Sequence, residues 1–174
     1  MISIDRVIEE VIEARGGFKF GSTPKLHYKY GISLQDIIDY RGETVAVDEV
    51  RMLSKHEAAE IYKDKYFIKT GIDQLPELIQ EVVFDMVLAM GLENAIKIVQ
   101  TVVHKMGSPI KVDGLLGPRT KQSCVIACNV YGDEVLRAIC LTSKDYYRDL
   151  VDKDATKAVF LTEWINRAQS YIYA

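Results

Sequence analysis

The stretch that most constrains this chain is residues 75–107, "LPELIQEVVFDMVLAMGLENAIKIVQTVVHKMG". From Leu75 to Met90 apolar residues fall on nearly every side of a helix, with Val82, Val83, Phe84, Val87 and Leu88 in succession. Such a helix is stable in water only if most of its surface is buried. Gly91 interrupts it, and Ala95, Ile96, Ile98, Val99, Val102 and Val103 resume the pattern to Met106. Two adjoining core helices of this kind predict a mainly α protein. Neither reaches the roughly 18 apolar residues of a membrane span, and Asp85 breaks the better candidate, so no membrane span is expected.

The rest of the chain supplies the shell. Ile4, Val7, Ile8, Val11 and Ile12 recur at helical spacing and end at Arg15, Gly16 and Gly17, a glycine stop. Phe18 to Gly31 reads as irregular. "SLQDIIDYRG" is a short helix closed by Gly42, and "ETVAVDEVRML" reads equally as an extended piece or a turn into the next helix. Ser54 with Glu57 predicts a reciprocal capping box for "SKHEAAEIYKDKYF". "GSPIKVDGLLGPRT" holds the densest turn chemistry, with a turn at Asp113-Gly114 and a helix start at Gly117-Pro118. Helices are expected over about Thr120–Tyr131 and Gly132–Leu141, then a last helical region to Tyr171.

Several functions are disfavoured at this level. The net charge of −3 argues against a nucleic-acid footprint. Acids in the opening "MISIDRVIEE" stand where an export signal needs positive charge, so synthesis in the cytoplasm is expected, with any passage to the cell wall or a virion left to another protein. Cys124 and Cys128 lie four apart on one helix face, but His27, His56 and His104 are scattered, and zinc needs a fuller ligand set. No metal and no cofactor is expected, and the cysteines read as packing thiols. Glu9, Glu10 and Glu13 read as a solvated helix face. Asp85, an acid inside an apolar helix, must be paired or hydrogen-bonded.

Taken in order, "IDRVIEEVIEARGGF", "YGIS", "LSKHEAAEIYKDKYF" and "LPELIQEVVFDMVLAMG" resemble the N-acetylmuramidases of glycoside hydrolase family 108. "DGLLGPRT" and "DYYRDLV…FLTEWINR" resemble that family's C-terminal peptidoglycan-binding region. The resemblance implies an all-α lysozyme-like fold of the phage endolysin type, acting on peptidoglycan. It also implies a muramidase-like region over 1–105 and a peptidoglycan-binding-like region over 106–174, forming one compact unit. It places the cleft at Arg15, Gly16, Gly17, Tyr30, Asp85, Ala89, Asp113 and Gly114.

The chain departs from the family pattern at its chemistry. The family's Glu-Gly-Gly falls on Arg15-Gly16-Gly17, so Arg15 holds the acid position. "STPKLHYKYGIS" lacks the family's Asp-x-Gly-Gly-x-Thr loop, and Ala89 stands where the family has Asn. Protonating a glycosidic oxygen needs a carboxylic acid with a raised pKa, and an arginine stays charged. The resemblance therefore implies a protein without hydrolytic activity that binds peptidoglycan glycan or a phage or host protein, with Tyr28, Tyr30, Tyr62 and Tyr66 as stacking surfaces or ordinary packing. The alternative is an active N-acetylmuramidase using Glu13 or Glu10 as a displaced acid. Two positions along a helix turn a side chain by about 200°, so Glu13 needs a local rewinding.

Overall fold

In the computed structural model, which describes residues 3–23 and 26–173, the chain divides into two units, Ser3–Lys69 and the part from Thr70 on. In the first unit, Ser3 caps helix α1 (Ile4–Arg15), its hydroxyl accepting the Arg6 N–H at 3.3 Å. Val7, Ile8, Val11 and Ile12 are buried, as their spacing predicts. The segment read as irregular contains a small hairpin, β1 (Tyr28–Lys29) with β2 (Ile32–Ser33), paired Tyr28 to Ser33 and Lys29 to Ile32. Its two-residue turn, Tyr30-Gly31, has φ of 56° and 79°. Positive φ at both positions matches the twist of the strands, but Asn or Gly normally supplies it. A tyrosine in the first position hid the turn from sequence.

Helix α2 (Leu34–Arg41) follows, ending at Gly42 with φ of 74°, and the ambiguous segment resolves as the short helix α3 (Asp48–Met52). Helix α4 (Lys55–Tyr62), packed on α1 and α2, continues into a π-helical turn, Lys63–Ile68. The reciprocal capping box lies elsewhere than predicted. The Ser54 hydroxyl accepts the Glu57 N–H at 3.0 Å, but the Glu57 carboxylate takes Arg41 Nε at 2.8 Å and Nη2 at 3.1 Å. An ion-paired guanidinium outcompetes a backbone N–H. The complete box is at Ser33 and Asp36, where the Ser33 N–H donates to Asp36 Oδ2 at 2.8 Å and the Asp36 N–H to Ser33 Oγ at 3.3 Å.

The second unit contains α5 (Glu77–Met90), α6 (Leu92–Lys105), α7 (Pro118–Tyr131), α8 (Asp133–Lys153) and α9 (Ala158–Tyr173). Helix α8 packs against α5, α6, α7 and α9 and is the hub of this unit. It runs unbroken past Leu141, where the sequence reading ends a helix. Thr142 and Ser143 return their hydroxyls to the carbonyls of Ala138 (2.8 Å) and Cys140 (2.9 Å), so these polar residues are satisfied without breaking the helix. Asp154 then starts a 3₁₀ turn over Ala155–Lys157. Among the described residues no helix is long and apolar enough to cross a membrane.

Candidate functional site

The end of α1 and the hairpin turn build one corner of the first unit. Arg15 is the last residue of the helix, and Gly16, at φ 71°, closes it by donating its N–H to Ile12 O at 3.1 Å. A cation in the last turn also complements the helix dipole. The carbonyl of Gly16 accepts the Tyr30 N–H at 2.9 Å, which fastens the hairpin to the helix end. The Tyr62 hydroxyl donates to Tyr30 O at 2.9 Å from below. These two bonds offset the cost of a tyrosine in left-handed backbone, a strain typical of functional turns.

Gly31 is required here. A Cβ on it would stand 2.5 Å from the Tyr62 hydroxyl and 3.1 Å from Cγ of Arg15. The stem of Arg15 therefore lies along the turn. Gly17 differs, since nothing stands within 4 Å of where its Cβ would be. Open space lies over the glycine pair. Burial pushes the Tyr62 hydroxyl up to about 12, against the pull of the nearby Arg15 guanidinium, so it remains a donor.

Below the turn sits a layer that the sequence reading overlooked. Asp36, 8% exposed, receives Lys65 from the π-helical turn as well as its own capping bonds. Burial alone would raise its carboxyl. The hydrogen bonds from Lys65 and Ser33 outweigh that and hold it below the usual value. Tyr62 and Tyr66 pack with centroids 5.7 Å apart, and Lys65 lies 5.1 Å over Tyr66. Tyr62, 5% exposed, is thus a packing and hydrogen-bonding residue rather than a stacking surface. The π-helix carries no sequence signal of its own.

The fallback acids are elsewhere engaged. Glu13 is exposed and ion-paired with Lys55, and Glu10 is exposed and bonded to Arg6 at 3.1 Å.

In the second unit, Asp113 and Gly114 come together around Gln100, which is 1% exposed. Gln100 Oε1 accepts the N–H groups of Asp113 (3.0 Å) and Gly114 (2.8 Å). Its amide donates to Asp113 Oδ1 at 2.9 Å, Leu115 O at 3.1 Å and Thr120 Oγ1 at 3.1 Å. One buried amide thus organises the whole "DGLLGPRT" loop. Gly114 has φ of 79°, and a Cβ would meet Glu93 Cγ at 2.6 Å. The apolar periodicity of α6 made Gln100 easy to pass over, although its place in that inward stripe was the available clue.

Asp85 is buried and ion-paired with Arg167 of α9, 82 positions along the chain. Ala89 lines a separate pocket between α5, α6, α8 and α9. The cysteines are unpaired thiols. Burial pushes Cys124 and Cys140 each up to about 12, which suits packing rather than reactivity. Among the described residues, no group of three or more His, Cys, Asp or Glu side chains is placed to hold a metal ion.

The mainly helical architecture, with its one small hairpin among the described residues, fits a lysozyme-like class of protein, and the comparisons make it specific. Residues 13–91 match the model of glycosyl hydrolase 108, and residues 94–169 match a predicted peptidoglycan domain. The chain thus joins a glycosyl hydrolase 108 region to a predicted peptidoglycan domain that follows it directly. Among solved structures, that of Brucella abortus SagA matches with a TM-score of 0.67 and 22% identity, covering 98% of this chain and 91% of that one, which establishes a shared fold. No curated protein matches.

Proposed function

We propose that this is a phage- or prophage-type member of the family that holds peptidoglycan glycan without hydrolysing it. One observation carries the reading. The residue at the end of α1, where the resemblance puts the acid, is Arg15, with its stem along the Tyr30-Gly31 turn and open space over Gly17. A guanidinium has no proton to release near neutral pH. It also opposes the positive charge that develops on the sugar ring during cleavage. The same cation suits a carboxylate-bearing polymer that is to be held.

Glu13 and Glu10 do not favour the enzymatic alternative. Each is exposed and faces a cation, the reverse of the apolar setting that equips a carboxylic acid as a proton donor.

The test pairs muropeptide release with co-sedimentation on purified peptidoglycan, for the wild type and Arg15→Glu. The wild type is expected to pellet with the polymer and release nothing. Release by the wild type that disappears in Glu13→Gln would replace this reading with the displaced-acid enzyme. Release by Arg15→Glu alone would support it most directly, because the acid would then be the missing part.

A further inference from the structure

The second unit contains a pocket of about 290 Å³, at the small end of ligand-binding cavities, which neither the Arg15 corner nor the Gln100 loop uses. Its wall is aromatic. Tyr147 and Trp164 stack with centroids 5.1 Å apart, and Trp164 and Phe160 with centroids 5.6 Å apart, both at 27°. Tyr147 is buried and anchors the stack, whereas Trp164 and Tyr146 are half-buried and Phe160 is 48% exposed. This run of near-parallel rings presents a flat apolar face to the pocket.

The polar groups are few. Asn94 donates one amide hydrogen to Met90 O at 3.0 Å, which leaves its carbonyl oxygen and second hydrogen for another partner. Lys157 is the one charged residue among the described residues lining the pocket. Its ammonium is 3.4 Å from Asp154 Oδ2, with both side chains 40% exposed, a weak solvated pair that a ligand carboxylate can replace. A flat apolar face edged by one amide and one cation fits neither an acyl chain nor a bare anion. It fits a ring with apolar faces and polar edges, carrying an amide and a carboxylate.

We propose that this pocket binds an N-acetylated sugar whose attached peptide bears a carboxylate, the repeating chemistry of a muropeptide, with the ring on the Trp164–Phe160 face and the peptide carboxylate at Lys157. The assignment rests on the reading of the chain as a peptidoglycan binder, and it places recognition in the second unit, independent of Arg15.

Trp164 is the sole tryptophan of the sequence, so its emission reports on the pocket alone. The experiment titrates the full chain with muramyl dipeptide and, as a neutral probe, with the N-acetylglucosamine trimer, beside co-sedimentation on purified peptidoglycan. A saturable change with muramyl dipeptide is expected, weakened about tenfold in Phe160→Ala. Lys157→Ala, a surface change that spares the stack, is expected to weaken it about threefold to fivefold and to remove its salt dependence. A wild type that pellets with peptidoglycan while Trp164 emission stays constant overturns the pocket and leaves the broader reading intact. A wild type that neither pellets nor responds overturns both. Equal response to the neutral trimer, unchanged in Lys157→Ala, overturns the role given to the carboxylate.

Discussion

The two units place their acids in opposite settings. In the first, Glu10 and Glu13 lie on the solvated side of α1 beside Arg6 and Lys55. In the second, Asp85 sits within the most apolar helix of the chain and is closed over by Arg167. The difference follows from how much of each helix is buried. A narrow apolar stripe leaves room for acids that contribute little, whereas a helix buried nearly all round accepts one only with a partner. Asp36 stands between these cases, buried in the first unit but held by three donors, the Lys65 ammonium and the N–H and hydroxyl of Ser33.

The contrast predicts a graded series. Asp85→Ala is expected to be the most damaging, at about 3 kcal/mol in urea denaturation, because it takes away the buried carboxylate that faces the half-buried Arg167 guanidinium. A loss under about 1 kcal/mol would mean that Arg167 reaches water and that the pair is a surface pair in effect. Asp36 comes next and is best read by pH. Its folded-state value lies below the ordinary 3.8, so its contribution is present in full above that value and is lost as the pH falls through the depressed one. Asp36→Asn is expected to flatten the acid limb of the stability curve by about 1 to 2 kcal/mol. An unaltered limb would assign acid sensitivity to other carboxylates. Glu13→Gln is expected to change stability by no more than about 0.5 kcal/mol in the same denaturation experiment. A larger loss would show the Lys55 bridge to be worth more than its exposure suggests.

How much of this was legible depended on the range of the interaction. Helix α1, the Gly42 stop, the core helices on either side of Gly91 and the Pro118 start are written in local periodicity and caps, and they stand where the sequence places them. That Asp85 needs a partner was also legible, because an ionised group cannot be left alone in an apolar interior. Which partner was not legible, since nothing in "FLTEWINR" marks Arg167 over any other cation. The Tyr30-Gly31 turn stayed hidden because its support comes from Gly16 and Tyr62, one on the preceding helix and one 32 residues on. The Gln100 network was hidden for a similar reason. A glutamine in an inward stripe looks like an imperfection until the loop it serves is folded against it.

The corner at Arg15 has one more consequence. The atoms of Arg15 nearest to where a Cβ on Gly31 would stand are its Cβ and Cγ. Arginine and glutamate are alike to that depth and differ only farther out. Close packing at the turn therefore meets the stem of this residue, while its charge is felt at the Tyr62 hydroxyl. A substitution to glutamate is thus expected to keep the close fit of the turn while reversing the charge presented beside it.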